Sequence, residues 1–316
     1  MYKLRYWVDI NKMDWNILSM NPKAIDLLEK NMDKINWWWL SQNPNAIHLL
    51  EKNYDKINEY YLSFDSNTMF FADKKYKINW YTLSCNPNAI HFLEKNNDKI
   101  NWSTLSCNPN AIDILSKNTD KINWYWLSQN PNAIHLLEKN YDKIIWSQLS
   151  LNPNAIPLLE NNMCKIDWEF LSSNPNAIHL LKNNKDKIDW SMLSENCNAI
   201  DLLEENNDEI NWNILSMYPK AIHLLEKNYD KISWSRLSMN PNAIHILREN
   251  MDKIHWNWLS ANPSIFELDY EALEKRCNIY KEELMKKALH PSVITRYLNH
   301  PDLKDKDLEY ILDNCF

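Results

Sequence analysis

A 22-residue period runs through this chain and constrains its fold more than any other feature. The segment LSQNPNAIHLLEKNYDKI occurs twice, from Leu40 to Ile57 and from Leu127 to Ile144. Trp15, Trp37, Trp80, Trp102, Trp124, Trp146, Trp168, Trp190, Trp212, Trp234 and Trp256 mark the register, and from Trp80 onward every step is 22. The 43-residue gap between Trp37 and Trp80 holds a repeat that has lost one residue and carries Glu59 at the Trp place. Twelve repeats share the pattern W-x-x-L-S-x-N-P-N-A-I-x-L-L-E-K-N-x-D-K-I-N, with Leu-Ser at the fourth and fifth places in all twelve. A 22-mer is too short to bury its own apolar face, so neighbours must share a continuous core.

Each repeat reads as two short helices, taking Trp124 to Ile145 as reference. Asp, Asn or Ser precedes the Trp place in ten of twelve repeats, and a short side-chain oxygen there caps the first turn. Helix A is expected over about Trp124 to Gln129, with Trp124, Leu127 and Ser128 on one face. Helix B opens at Asn130-Pro131, where Pro loses nothing by lacking an N–H. Ala133, Ile134, Leu136 and Leu137 form its apolar face, and Asn140 is the expected left-handed helix end. The competing leucine-rich repeat fits poorly, because Tyr125 and Asn132 stand where that pattern requires Leu. The fold class is therefore all-α, an α-solenoid of about twelve two-helix repeats with a helical C-terminal cap. Stacked at ~8–10 Å, the repeats predict a curved rod on the order of 100 Å long. Its parts are an N-terminal cap (1–14), the repeats (15–263) and the C-terminal cap (264–316), in which Pro291 and Pro301 each look like a first helical residue.

Composition narrows the class. Gly is absent, which excludes a glycine-rich phosphate loop of standard form. Arg occurs five times against thirty Lys, and Asn, Ile and Tyr are abundant, a bias toward residues with AT-rich codons. The six Cys show no metal spacing and read as reduced thiols; Cys85 and Cys107 share one place in adjacent repeats and so could lie close together. No run approaches the ~20 apolar residues of a membrane span, so no membrane association is expected. A net charge of −7, with acids matching the lysines in most repeats, disfavours nucleic acid as a partner.

The recurring NPNAIHLLEKNYDKI, together with NPSIFELDYEALEKRCNIYKEEL and the following ALHPS, resembles the tandem 22-residue repeat proteins of giant DNA viruses of amoebae, of the mimivirus kind. The resemblance covers about Trp15 to Ser292 and implies a viral protein of the host cytoplasm or viral factory, or of the virion. It carries no catalytic residues onto this chain. The repeat at Glu59–Asn79 departs from the pattern.

No catalytic set stands out, so a non-enzymatic protein without cofactor or metal is expected. His48, His91, His135, His179, His223 and His245 occupy one place per repeat, but equivalent places lie roughly 10 Å apart, too far to share one ion. They read as a solvated row. The informative places vary within the constant frame: those of Tyr125, Trp126, Gln129 and Tyr141. Trp38, Trp39, Tyr60, Tyr61, Tyr81, Tyr125, Trp126, Phe170 and Trp258 are the candidate partner-binding residues. The Trp126 place is either an exposed stripe that binds a protein partner, host or viral, or core enclosed by neighbouring repeats. The alternative function is a structural component of a virion or viral factory, with the stripe mediating self-association. A ubiquitin-ligase adaptor docking through the C-terminal helices is a third option.

Overall fold

The computed structural model describes residues 1–56 and 78–298. Tyr60, Tyr61, most of the irregular repeat, Pro301 and Cys315 lie outside the described residues. The chain forms two compact bodies, one of Leu4–Phe266 and one of Met1–Lys3 with Glu267–Phe316. The architecture is the expected all-α repeat solenoid in 22-residue units.

In repeat 6, helix A spans Trp124–Gln129 and helix B spans Ile134–Lys139. A third element, a 3-10 turn over Tyr141–Lys143, returns the chain to the next helix A. Asn123 caps helix A by accepting from the amides of Tyr125 and Trp126. Asn130 accepts from Asn132 N, so Asn-Pro forms a capped turn before helix B begins. Leu127, Ala133 and Leu137 are fully buried, and their equivalents form one spine along the array. Each such Leu contributes about 1.5–3 kcal/mol of transfer free energy.

The expected left-handed helix end is corrected by the structure. Among the described residues no φ is positive, and Asn140 sits at φ −127°. Its side-chain amide instead folds back and donates to Leu136 O at 2.9 Å, satisfying a carbonyl at the helix end.

Polar bridges lock neighbouring repeats. Ser128 Oγ donates to Trp124 O at 2.8 Å and accepts from Ile145 N, the residue preceding the next helix A, at 3.1 Å. This buried Ser is more than a close-contact point, because it satisfies a backbone amide of the following repeat. Asn152 Nδ2 reaches back to Ser128 O (3.0 Å) and Asn130 O (2.8 Å), and Asn154 Nδ2 to Pro131 O (2.9 Å). Codon bias therefore does not exhaust the meaning of the asparagines. At three places per repeat the amide is a structural donor.

The array is not an open rod. Repeat 12 stacks on repeat 1, with helix A of Trp256–Ala261 packed against helix A of Trp15–Met20. The bonds are those of consecutive neighbours: Asp14 N to Ser260 Oγ at 2.9 Å, and Asn21 Nδ2 to Ser260 O and Asn262 O at 3.0 and 3.2 Å. The segment expected as an N-terminal cap makes this join. Repeat 12 has no helix B or return turn of its own after Pro263–Ile265. The chain's first residues supply what is missing. Ile10–Lys12 forms the 3-10 turn, Met13 is buried at the Ile place, and Lys12 lies over the Trp256 ring at 5.0 Å, as Lys34 lies over Trp15 at 4.6 Å. Trp7 and Val8 are buried alongside, and Arg5 donates from N and Nε to Ile265 O and Ser264 O. Repeat 12 is thus assembled from both ends of the body.

Helices A pack directly on one another between repeats 12 and 1, 1 and 2, 4 and 5, and from 6 through 9, whereas no two neighbouring helices B among the described residues approach as closely. The A rank therefore lies on the inside of the curve and the B rank on the outside.

A short strand β1 (Tyr2–Leu4) pairs with β2 (Phe266–Leu268), and Asp269 N donates to Met1 O. Asp269 then caps a helix over Tyr270–Ala288, and Pro291 opens the next, Pro291–Leu298, as expected.

Candidate functional site

The variable places lie on helix A, on the side turned away from the Leu127–Ser128 face and hence toward the inside of the curve. The place after the Trp is exposed: Trp38 is 42% accessible, Tyr81 53% and Tyr125 46%. The following place is mixed. Trp126 and Trp258 are exposed at 38% and 43%, Trp39 and Phe170 are half-buried, and Thr82, Thr104 and Gln148 are buried. The Trp126 place is therefore exposed in some repeats and enclosed in others. The small or polar side chains are enclosed between neighbouring helices A, as when Thr104 Oγ1 donates to Tyr81 O at 2.8 Å. An indole is too large for that space and stands out of it.

The exposed aromatics hold one another edge to face. Trp38 and Trp39 have ring centroids 4.5 Å apart at 88°, and Tyr125 and Trp126 5.2 Å apart at 87°. Such pairs fix the rings at little entropic cost.

Closure regroups the candidates. On an open rod, Trp258 and Trp38 lie near opposite ends. Here repeat 12 adjoins repeat 1, so Trp258, Ile17 and the Trp38–Trp39 pair fall on three successive repeats of one arc. Tyr125 and Trp126 continue the aromatic set in repeat 6, and Phe170 lies beyond it in repeat 8. Sequence periodicity alone gives no sign of this grouping. Tyr60 and Tyr61 lie outside the described residues.

The Tyr141 place is separate from this face. Tyr141 packs on Trp146 at 5.4 Å, and Lys165 Nζ lies 4.4 and 4.5 Å from the two rings. This edge-on stack, with the Tyr141 hydroxyl bonded to Asn162, joins repeat 6 to repeat 7. Its role in the frame accounts for its apolar character.

The inner face is almost uncharged. At the second, third and sixth places of the described helices A, only Glu169, Glu195 and Arg236 carry charge. The outer rank holds the charges instead. His48, His179 and His245 each bond a Glu of the preceding repeat, Glu29, Glu160 and Glu226, at 2.7, 2.8 and 2.7 Å. The expected solvated row is thus exposed, with inter-repeat pairs at these three places, whereas His91 faces Glu94 of its own repeat at 3.9 Å. Lys227, hydrogen-bonded to Glu204, holds that carboxyl below its ordinary range. Cys85 and Cys107 sit half-buried on helices A, donating to Thr82 O and Thr104 O. Burial pushes both thiols up, and each is the less reactive for it.

Among the described residues, no three His, Cys, Asp or Glu side chains converge in a way that could hold a metal ion, and no helix is long and apolar enough to cross a membrane. A model of the family described as periplasmic copper-binding protein (NosD) matches residues 116–272, just under half the chain and wholly within the 22-residue register up to the start of the C-terminal helix. No curated protein and no solved structure matches.

Proposed function

We propose that the chain is a non-enzymatic scaffold that binds another protein along the inner face of its helices A. One observation carries this reading. The frame uses its constant Leu, Ser, Asn and Ala side chains for stacking, yet large aromatic side chains stay accessible on one uncharged face. Exposed aromatics that are already held rigid are typical interface anchors. The resemblance to giant-virus repeat proteins makes a host or viral protein the partner. The copper of the matching family's description is not carried over, since that family's model covers less than half of the chain.

A random-peptide display library tests the reading. Peptides should be enriched on the wild-type protein and lost on a Trp39→Ser, Trp126→Ser, Trp258→Ser variant whose far-UV circular dichroism is unchanged. Equal enrichment on both proteins would refute it. The alternative is a self-assembling structural component. The exposed Tyr270, Tyr280 and Met285 on the C-terminal helix favour association there. A mass that rises with concentration supports that alternative, and a constant monomer mass opposes it.

A further inference from the structure

We infer that the inner face takes a proline-rich, uncharged segment of its partner in the polyproline II conformation. The inference rests on the preceding reading of that face and narrows it to one ligand chemistry. Charge is the first argument. A face nearly stripped of charge, on a protein whose outer rank is densely charged, offers nothing to an acidic or basic segment and would leave its charges desolvated.

Hydrogen bonding is the second. Beside Trp38, the exposed aromatics there, Tyr81, Tyr125, Trp126 and Trp258, are all Trp or Tyr, and none is Phe. Each carries an N–H or O–H donor beside an apolar ring. A polyproline II segment forms no internal hydrogen bonds, so its carbonyls are free to accept from such donors, while its proline rings pack on the aromatic faces.

Period is the third. Three residues of polyproline II advance ~9.3 Å and bring the same side back to the surface. Neighbouring helices pack ~8–10 Å apart, so every third residue meets a new repeat. A β-strand advances about as far in three residues, but an odd step turns the side chain to the opposite face. The arc made contiguous by closure supplies three successive places in this register at Trp258, Ile17 and Trp39, with Trp38 packed edge to face on Trp39. The apolar Ile17 between two indoles favours a peptide over a neutral glycan, which the same rings could also stack.

Fluorescence anisotropy with a labelled dodecapeptide of Pro-Pro-Leu repeats tests the inference. Saturable binding is expected, at least about ten-fold tighter than to Pro-Pro-Lys, Pro-Pro-Glu or Ser-Asn-Leu repeats of the same length. Trp38→Ser with Trp258→Ser should weaken it by about ten-fold or more, and His135→Ser on the outer rank should leave it unchanged. Absence of saturable binding, equal binding of the Ser-Asn-Leu peptide, or displacement by cellohexaose would overturn it. If the display library yields peptides without proline that still depend on Trp126, the inner face stands as a binding surface and only its proline preference fails.

Discussion

A single asparagine carries much of what couples one repeat to the next. Asn152 is fully buried, accepts from Asn154 N, and donates to two carbonyls of the preceding repeat. Replacing it by Ala removes the donor to Ser128 O, at about 1–3 kcal/mol for a buried carbonyl, and one of two donors to Asn130 O, which still accepts from Ala133 N. Asn154 makes one exposed bond to Pro131 O, so its loss should cost roughly 1 kcal/mol or less. Thermal unfolding of Asn152→Ala and Asn154→Ala should therefore differ, with the first variant melting well below the second. Equal melting temperatures would show that the buried amides are not what couples the repeats. The sequence shows where these asparagines recur but not where their amides point. A capping role accounts for the side-chain oxygen of Asn130, yet the same residue's nitrogen reaches across to Ser106 O and Asn108 O. A residue with two hydrogen-bonding ends satisfies a local reading with one of them and conceals the other.

The split twelfth repeat makes a strong claim about elements. Its helix A comes from Trp256–Ala261 and its return turn from Ile10–Lys12. Removing residues 1–13 uncovers Ile265, Phe266 and the Leu259 end of the spine, and leaves Ser260 Oγ beside a frayed Asp14. Such a protein should melt lower, bind a hydrophobic dye and expose its first and last repeats to protease. The milder change Arg5→Ala, which removes the side-chain bond to Ser264 O but keeps the strip itself, should lower the melting temperature less than the truncation does. If the truncated protein melts like the full chain, the join contributes nothing. The helices themselves were legible, because caps, Pro and apolar spacing repeat in register. The 3-10 turn at Tyr141–Lys143 was not, since its three residues carry no apolar signal of their own. Half of the join was also written in the chain. INKMD at Ile10–Asp14 echoes the YDKIN place of the consensus, and the last repeat stops after NPSIF. Two half-repeats at opposite ends are complementary only if the ends meet, and no single 22-mer shows that they do.

At the scale of the whole molecule, closure changes how the array comes apart. An open solenoid frays from its terminal repeats, which have one neighbour instead of two. Here repeats 1 and 12 are neighbours, so that weak point is removed. Native-state hydrogen exchange of the buried Leu amides, such as Leu18 in repeat 1 and Leu149 in repeat 7, should give similar protection in the intact chain. After truncation of residues 1–13, Leu18 should lose protection first. Protection of Leu18 far below that of Leu149 in the intact protein would show that the join opens on its own. The grouping of Trp258 with Trp38 belongs to this scale too. The sum of small rotations between repeats sets it, so composition and spacing could not reveal it.

A ribosome makes the residues that complete repeat 12 before it makes any of the repeats. Trp7, Val8 and Met13 leave the tunnel about 250 positions ahead of the helix they must cover. Through nearly all of synthesis this short apolar strip has no mate, while each of the repeats between folds onto the one just made. A piece translated ahead of the repeats is thus placed after them, and the slow step of maturation falls on closing the ring.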